Sequence, residues 1–347
     1  MPDPVGNPPS GGRRHRPADK LARRRGRRQA KPTPRLAASL FLLVLVLSIV
    51  CSSAPTAGAR ELRLATWNIA WLTFRPPGHP DLPQGFRPRT EDDLRRLRAY
   101  AEELSADVVA LQEVDGPLAA ARVFDSRAWD FHFADERDVQ RVGFAVRRGV
   151  AWRANPDLVE LDLVSHARLS LRRGADITVS LAGRDLRLLS IHLRGGCVRD
   201  DLDDPQRPAC VQLRRQAEIL AAWVAARERE GAAYAILGDF NRRLADDEGF
   251  WRILTGPAAL TRVTEGASPC WGRGRPFIDH IVLGGEARAW FVPNSLSVLV
   301  YREREAEVWE DRLSDHCPVR ATLDLARAVA RDGRPALRWL WPFGPQP

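Results

Sequence analysis

Apolar residues run along this chain in two rhythms, and several of the runs stop abruptly on a polar side chain. Continuous or alternating runs suit strands, whereas a three-and-four spacing suits a helix. From Glu61, LRLATWNIAWL reads as a strand, and DVVALQEV (Asp107–Val114) as a buried one. Between them, Arg89–Ala106 sets Leu94, Leu97, Tyr100, Ala101 and Leu104 at helical spacing, with Thr90 as its N-cap. WDFHFA, VGFAVRR, DITVSLA and DLRLLSIHL continue as strands, and Gly183-Arg184 between the last two predicts a hairpin. A second helix spans roughly Arg207–Glu230, with Leu213, Gln216, Ala217, Leu220, Trp223 and Val224 on one side. AAYAILGDF, FIDHIVL (Phe277–Leu283), SLSVLVY (Ser295–Tyr301) and CPVRATLDL (Cys317–Leu325) complete the strands. Many strands with few helices imply two sheets packed face to face and covered outside by helices.

The polar stops recur at Asn68, Glu113, His192, Asp239, Asn241, Asp279, His280, Asp315 and His316. Side chains alternate along a strand, so Asp239 and Asn241 share a side while Phe240 turns to the other. Each stop has a plain alternative. Asp-x-Asn after a strand is a turn or cap, a carboxylate in LQEV can end at the surface, and a single histidine can be a satisfied core residue. As a set they weigh more. Buried ionisable groups cost several kcal/mol each unless they are paired or bind a metal.

Charge changes the picture only at the N-terminus. The chain has a formal net charge of +9, and the residues up to Ala59 carry all of it. The remaining body is neutral, so the overall basicity says nothing about a substrate. The basic leader over 1–35 has no apolar periodicity and reads as disordered. LAASLFLLVLVLSIVC (Leu36–Cys51) and the Ala57-Gly58-Ala59 site follow, completing the order of a secretory signal. The alternative is a signal anchor retained in the membrane; both readings export the domain over 60–325 and the tail over 326–347. That tail, ending RWLWPFGPQP, would dock on the body or touch a membrane. Apart from Cys51 there are four cysteines, an even number that suits disulfides in an exported chain. Proximity pairs Cys197 with Cys210, and elimination leaves Cys270 with Cys317; reduced buried thiols are the alternative.

Oxygen donors from Asn and Glu suit a hard cation such as Mg²⁺, with Mn²⁺ as a substitute. No Cys/His cluster has the spacing of a structural zinc site. The ordered set WNI, LQEV, SIHL, GDFN, IDHI and SDHCPV, from about Leu62 to Leu325, resembles the endonuclease/exonuclease/phosphatase superfamily, the deoxyribonuclease I-like fold. HLRGGC, the glutamine-bearing helix and GDFNR also look like an exported bacterial branch of it. The resemblance implies an α/β four-layer sandwich of two mainly antiparallel sheets flanked by helices, with the site at one sheet edge. It implies Glu113 as the principal metal ligand, Asn68 beside the metal and the scissile phosphate, and Asp315 completing the metal's surroundings. Asp239 would orient or deprotonate the attacking water, with Asn241 helping to hold it. His192 would contact the phosphate, and Asp279 would hold His316, which stabilises the transition state. No motif position departs from the pattern, which argues against an inactive relative.

The shared core fixes the bond broken better than the substrate. The first expectation is an exported, monomeric Mg²⁺-dependent nuclease. The alternatives are a phosphodiesterase or phosphatase for lipid or small phosphate esters, and a non-catalytic binding module. A groove built from Arg141, Arg194, Arg273 and Arg275 would favour nucleic acid, whereas an apolar rim would favour lipid. Selectivity is expected in the loops Thr73–Arg89, Arg194–Cys210 and Trp271–Pro276, the first of them Pro/Gly-rich and mobile in character. The cluster Asp200, Asp201, Asp203, Asp204 reads as an acidic surface turn, with Ca²⁺ binding as the alternative.

Overall fold

Alternation along the apolar runs resolves, in a computed structural model, into two six-stranded sheets. The structure describes residues 61–164, 170–246, 248–265, 270 and 277–327. The first sheet contains β1 (Glu61–Leu72), β2 (Val108–Val114), β3 (Trp129–Phe133), β4 (Arg141–Arg147), β11 (Ser297–Val298) and β12 (Val319–Asp324). Its spatial order is β11-β12-β1-β2-β4-β3. The second contains β5 (Ala151–Ala154), β6 (Ala175–Leu181), β7 (Arg184–His192), β8 (Tyr234–Asp239), β9 (Thr261–Arg262) and β10 (Asp279–Gly284), in the order β5-β6-β7-β8-β10-β9. Both sheets are mixed, and each has one parallel pair at its centre, β1 with β2 and β7 with β8.

A parallel pair needs a crossover, and a helix supplies each one. Helix α1 (Glu91–Leu104) links β1 to β2, and α2 (Pro208–Arg229) links β7 to β8. Thr90 caps α1 reciprocally: its hydroxyl accepts from the Asp93 amide at 3.2 Å while the Asp93 carboxylate accepts from the Thr90 amide at 2.8 Å. Such a cap contributes about 1 kcal/mol. Each sheet divides its residues between two cores. Leu62, Leu64, Val108 and Ala110 face Leu186, Leu188, Ala235, Leu237, Ile281 and Leu283 across the sandwich. Trp67, Ile69, Val109 and Leu111 pack under α1, and Leu189, Ile191, Tyr234 and Ile236 under α2. The four layers follow from this two-sided burial.

Two expectations need correction, and three elements carry no sequence signal. SLSVLVY forms a strand only at Ser297–Val298, because Tyr301 leaves the sheet and packs edge-on against Tyr100 at 4.9 Å between centroids. The Thr73–Arg89 loop is tethered: Arg75 bonds Asp115 at 2.9 Å and Asp81 at 2.7 Å, and Arg89 closes it on backbone carbonyls. Strands β5 and β9 and the helix α3 (Gly249–Thr255) had no clear periodic signal. Both cysteine pairings are present, Cys197–Cys210 and Cys270–Cys317, with Cα atoms 5.1 and 5.3 Å apart. The leader, the apolar segment, the Trp271–Pro276 loop with Arg273 and Arg275, and the tail beyond residue 327 lie outside the described residues.

Candidate functional site

The inner face of the sandwich changes character along its length. In β1 the inward row runs Leu62, Leu64, Thr66, Asn68; in β7 it runs Leu186, Leu188, Ser190, His192. In β8 it ends on Asp239, and in β10 it begins at Asp279. His192 and Asp239 are register partners, as are Asp239 and Asp279. Three adjacent strands therefore carry three ionisable groups side by side. Beneath them lies a polar layer that joins the sheets. Thr66 donates to Gln112 Oε1 at 3.1 Å, and Gln112 Nε2 donates to Ser190 Oγ at 3.2 Å.

Glu113 reaches this group by breaking alternation. Gln112 already points inward, so a regular β2 would turn Glu113 towards α1. Instead Glu113 has φ 58°, and the register of β2 shifts beside it against both β1 and β4. A local irregularity of this kind re-aims a side chain, at a cost of about 1–3 kcal/mol for a non-glycine residue. The result is convergence. Asn68 Nδ2 donates at 3.1 Å both to Glu113 Oε1 and to Asp239 Oδ2. Asn241, also left-handed at φ 51°, donates from its backbone amide to Asp239 Oδ1 at 2.7 Å. Its Nδ2 holds Leu193 O at 3.0 Å. The turn reading of Asp-x-Asn holds, and the turn is what aims Asp239 at Asn68 and the neighbouring carboxylates.

The two histidines differ in charge. His316 Nδ1 lies 2.7 Å from Asp279 Oδ2, and its Nε2 lies 3.7 Å from Asp239 Oδ2. Burial disfavours the imidazolium, yet Asp279 and Asp239 outweigh it and hold the His316 pKa well above the ordinary value. His192 Nε2 lies 3.5 Å from Asp239 and 3.7 Å from Glu113. Burial, reinforced by the charge of Arg172, holds its pKa well below the ordinary value. Burial also pushes Asp239 up to about 7, with Asp279 and Glu113 adding to the rise and His316 opposing it. His280 points the other way, its Nδ1 2.7 Å from Thr264 Oγ1 and its Nε2 2.9 Å from Arg242 O, and burial lowers it to about 3.

Carboxylates outnumber cations here, and the donors are carboxylate oxygens with one imidazole nitrogen. Asp239, Asp279 and His316 each offer a ligand atom within 4.8 Å of the others. Asp279 Oδ1 is buried without a partner. These features fit a divalent cation. Asn68 turns its amide nitrogen to the carboxylates and gives its oxygen to the Ala70 amide at 2.9 Å, so in this arrangement it positions them. Asp315 is 61% exposed and stands at the rim, 3.9 Å from His316 Nε2. It lines a cleft of about 470 Å³ with Glu113, Trp71, Phe86, Arg87 and Asp311. Two of the four aspartates in the acidic turn beyond His192 are ion-paired, Asp200 with Arg207 at 2.7 Å and Asp203 with Arg214. The Cys197, Asp200, Cys210 grouping is not a metal site, because its sulfurs are joined to each other.

Several supporting residues had no separate signal in the sequence. Ser314 donates to Asn68 O at 2.7 Å and accepts from the His316 amide at 3.0 Å. Tyr301 donates to His316 O at 3.0 Å. Arg242, next to Asn241, bonds Glu248, Cys197 O and Asp200 O, tying the disulfide loop to the end of β8. Position beside a motif, as in SDH and FNR, was the only available clue.

A family model described as "Endonuclease/Exonuclease/phosphatase family" matches residues 65–316. No curated protein sequence matches the chain. Among solved structures, a humanized D. rerio TDP2 with 14 mutations is similar at TM-score 0.51 and 17% identity, over 76% of this chain and 99% of that one. TDP2 from C. elegans is similar at TM-score 0.51 and 15% identity, over 84% of this chain and 88% of that one.

Proposed function

Because the chain belongs to the endonuclease/exonuclease/phosphatase family and is therefore a metal-dependent phosphoesterase, we propose that it is an exported Mg²⁺-dependent phosphodiester hydrolase acting on nucleic acid. The observation that carries the chemistry is the meeting of Glu113, Asp239, Asp279–His316, His192 and Asn241 at one sheet edge. Glu113, with Asp315 at the rim and Asn68 beside it, would hold the cation. When bound, Mg²⁺ supplies Lewis-acid stabilisation of the charge on the phosphoryl oxygens.

The chain's own groups do the rest. Asp239, with a pKa near neutrality, takes a proton from the attacking water, as a general base should. Asn241 and neutral His192 orient that water and a phosphate oxygen. The water oxygen forms its bond to phosphorus while the ester P–O bond opposite breaks. His316, kept charged by Asp279, faces the negative charge that develops.

Exposed Arg194, two residues beyond His192, supports a polyanionic substrate, whereas Arg141 is paired with Asp115 at 3.4 Å. Export is supported by the basic-then-apolar N-terminus and by the two disulfides. A second reading, a lipid phosphodiester, is favoured by one feature. Phe74 and Leu118, in the segments that leave β1 and β2 at the site end, are 49% and 82% exposed. The deciding experiment incubates the disulfide-bonded protein and Glu113→Ala with Mg²⁺ and plasmid DNA, bis(p-nitrophenyl) phosphate or phospholipid vesicles. Nicking by the parent alone, abolished by EDTA, is expected. Hydrolysis of the small diester or the lipid without nicking would overturn the substrate, and no hydrolysis at all would overturn the reaction.

A further inference from the structure

The scheme above leaves one half-buried cation at the site unused. Arg89 sits where the Thr73–Arg89 loop meets α1, and every hydrogen bond it makes goes to a backbone carbonyl. Its Nη2 donates to Ala70 O at 2.6 Å, Leu313 O at 2.8 Å and Ile69 O at 2.9 Å, and its Nη1 to Trp71 O at 3.2 Å. No ion pair offsets its charge among the described residues. A partly desolvated charge held by carbonyls and by no carboxylate is costly to keep.

The carbonyls it gathers are specific ones. Ala70 and Trp71 are left-handed, with φ 36° and 58°, a conformation that non-glycine residues keep only when their surroundings enforce it. That turn directs the Ala70 amide to Asn68 Oδ1 at 2.9 Å and the Trp71 amide to Glu113 Oε2 at 3.2 Å. The fourth carbonyl, of Leu313, opens the segment that carries Ser314, Asp315 and His316. One guanidinium thus touches the turn that orients Glu113 and the segment that carries the charged histidine. Its planar fork of five donors suits this task; the single ammonium of a lysine does not.

We propose that Arg89 is a positioning residue for the phosphoesterase site, clamping the 69–71 turn to the 313–316 segment and so fixing the Glu113 carboxylate relative to the His316 imidazole. The proposal rests on the reading of Glu113 as the metal carboxylate. Arg89 lines the same cleft as Glu113 and Asp315, and the role assigned to it is exercised through the groups it holds.

The test uses the full chain with its disulfides formed, as parent, Arg89→Ala, Arg89→Lys and Glu113→Ala. Mn²⁺ binding is read from the free-ion electron paramagnetic resonance signal, so that metal affinity is measured apart from turnover. Hydrolysis of bis(p-nitrophenyl) phosphate gives kcat and KM. In a folded Arg89→Ala, kcat should fall about 10²-fold, the loss expected of misplacement by an ångström, with KM within about twofold of the parent's. Mn²⁺ affinity should weaken about tenfold, as when the partner that orients a ligand is removed. Added guanidinium should restore part of the kcat of Arg89→Ala and none of that of Glu113→Ala. Parental kcat and Mn²⁺ affinity in folded Arg89→Ala would overturn the clamp. So would a loss that tracks only the unfolded fraction and is not rescued by guanidinium. If the alanine variant does not fold, Arg89→Lys decides: a folded lysine variant with parental values overturns the proposal. If the parent hydrolyses nothing, the phosphoesterase reading fails, and the Mn²⁺ measurement still reports on the clamp.

Discussion

The second sheet has charged residues at both ends, and the two ends differ in how those charges are met. At the start of β7, Arg153 pairs with Asp185 at 3.0 Å, Arg184 with Glu286 at 2.9 Å and Arg187 with Asp176 at 2.9 Å. They line a cavity of about 370 Å³, yet every cation there has its carboxylate. At the end of β7, Glu113, Asp239, Asp279 and Asp315 share the single charged His316, and His192 stays neutral. One end is a balanced set of ion pairs, the other a largely buried negative excess. A cavity lined with charge is therefore not what marks the site; unmet charge is.

The comparison breaks most decisively on activity. Glu113→Ala and Asp239→Asn are each expected to lower kcat on bis(p-nitrophenyl) phosphate by about 10³-fold with the fold retained. Arg184→Ala at the other end should change it less than about twofold, since exposed pairs contribute little. Comparable losses at both ends would remove the distinction. Next in size is the Cys197–Cys210 link, which closes a loop of 13 residues beside the site. Replacing both cysteines by serine should cost about 3 kcal/mol in chemical denaturation.

Acid sharpens the contrast further. His280 titrates near 6.5 when unfolded and near 3 when folded, so its contribution is complete above pH 6.5 and is lost as pH falls towards 3. The slope for one such group is about 1.4 kcal/mol per pH unit, and His192 adds to it in the same direction. Asp239, raised to about 7, and Glu136, raised by burial to about 8, act in the opposite sense over the same interval. The His280 share is therefore read as the difference between the parent and His280→Gln in denaturation at pH 7 and pH 5. The smallest effect belongs to Glu286→Gln, whose pair with Arg184 is 54% and 42% exposed. It should shift stability by under about 1 kcal/mol at any of these pH values.

Much of this was legible because it follows from period two. The inward rows that end on Asn68, His192 and Asp239 can be counted off the strands, and the Thr90–Asp93 cap is visible as a spacing. Glu113 resists the same counting. Alternation assigns it to the helix side, and only the left-handed residue and the register shift bring it round. The layer of Thr66, Gln112 and Ser190 was hidden for a different reason: each is one polar residue in an apolar strand, and its purpose appears only once the two sheets face each other. Tyr301 misled because an apolar run was taken to continue in the sheet. Its hydroxyl is needed between Trp67 Nε1, at 2.9 Å, and His316 O.

Both sulfur cross-links fall on the segments that carry this chemistry. Cys197 follows His192 by five residues, and Cys317 is next to His316. Neither link spans the apolar layers between the sheets, which close without them. A thiol-rich surrounding would leave those layers standing while freeing the loops at the active edge. Under the proposed function, reduction of these two links would lower activity before it unfolds the layers between the sheets.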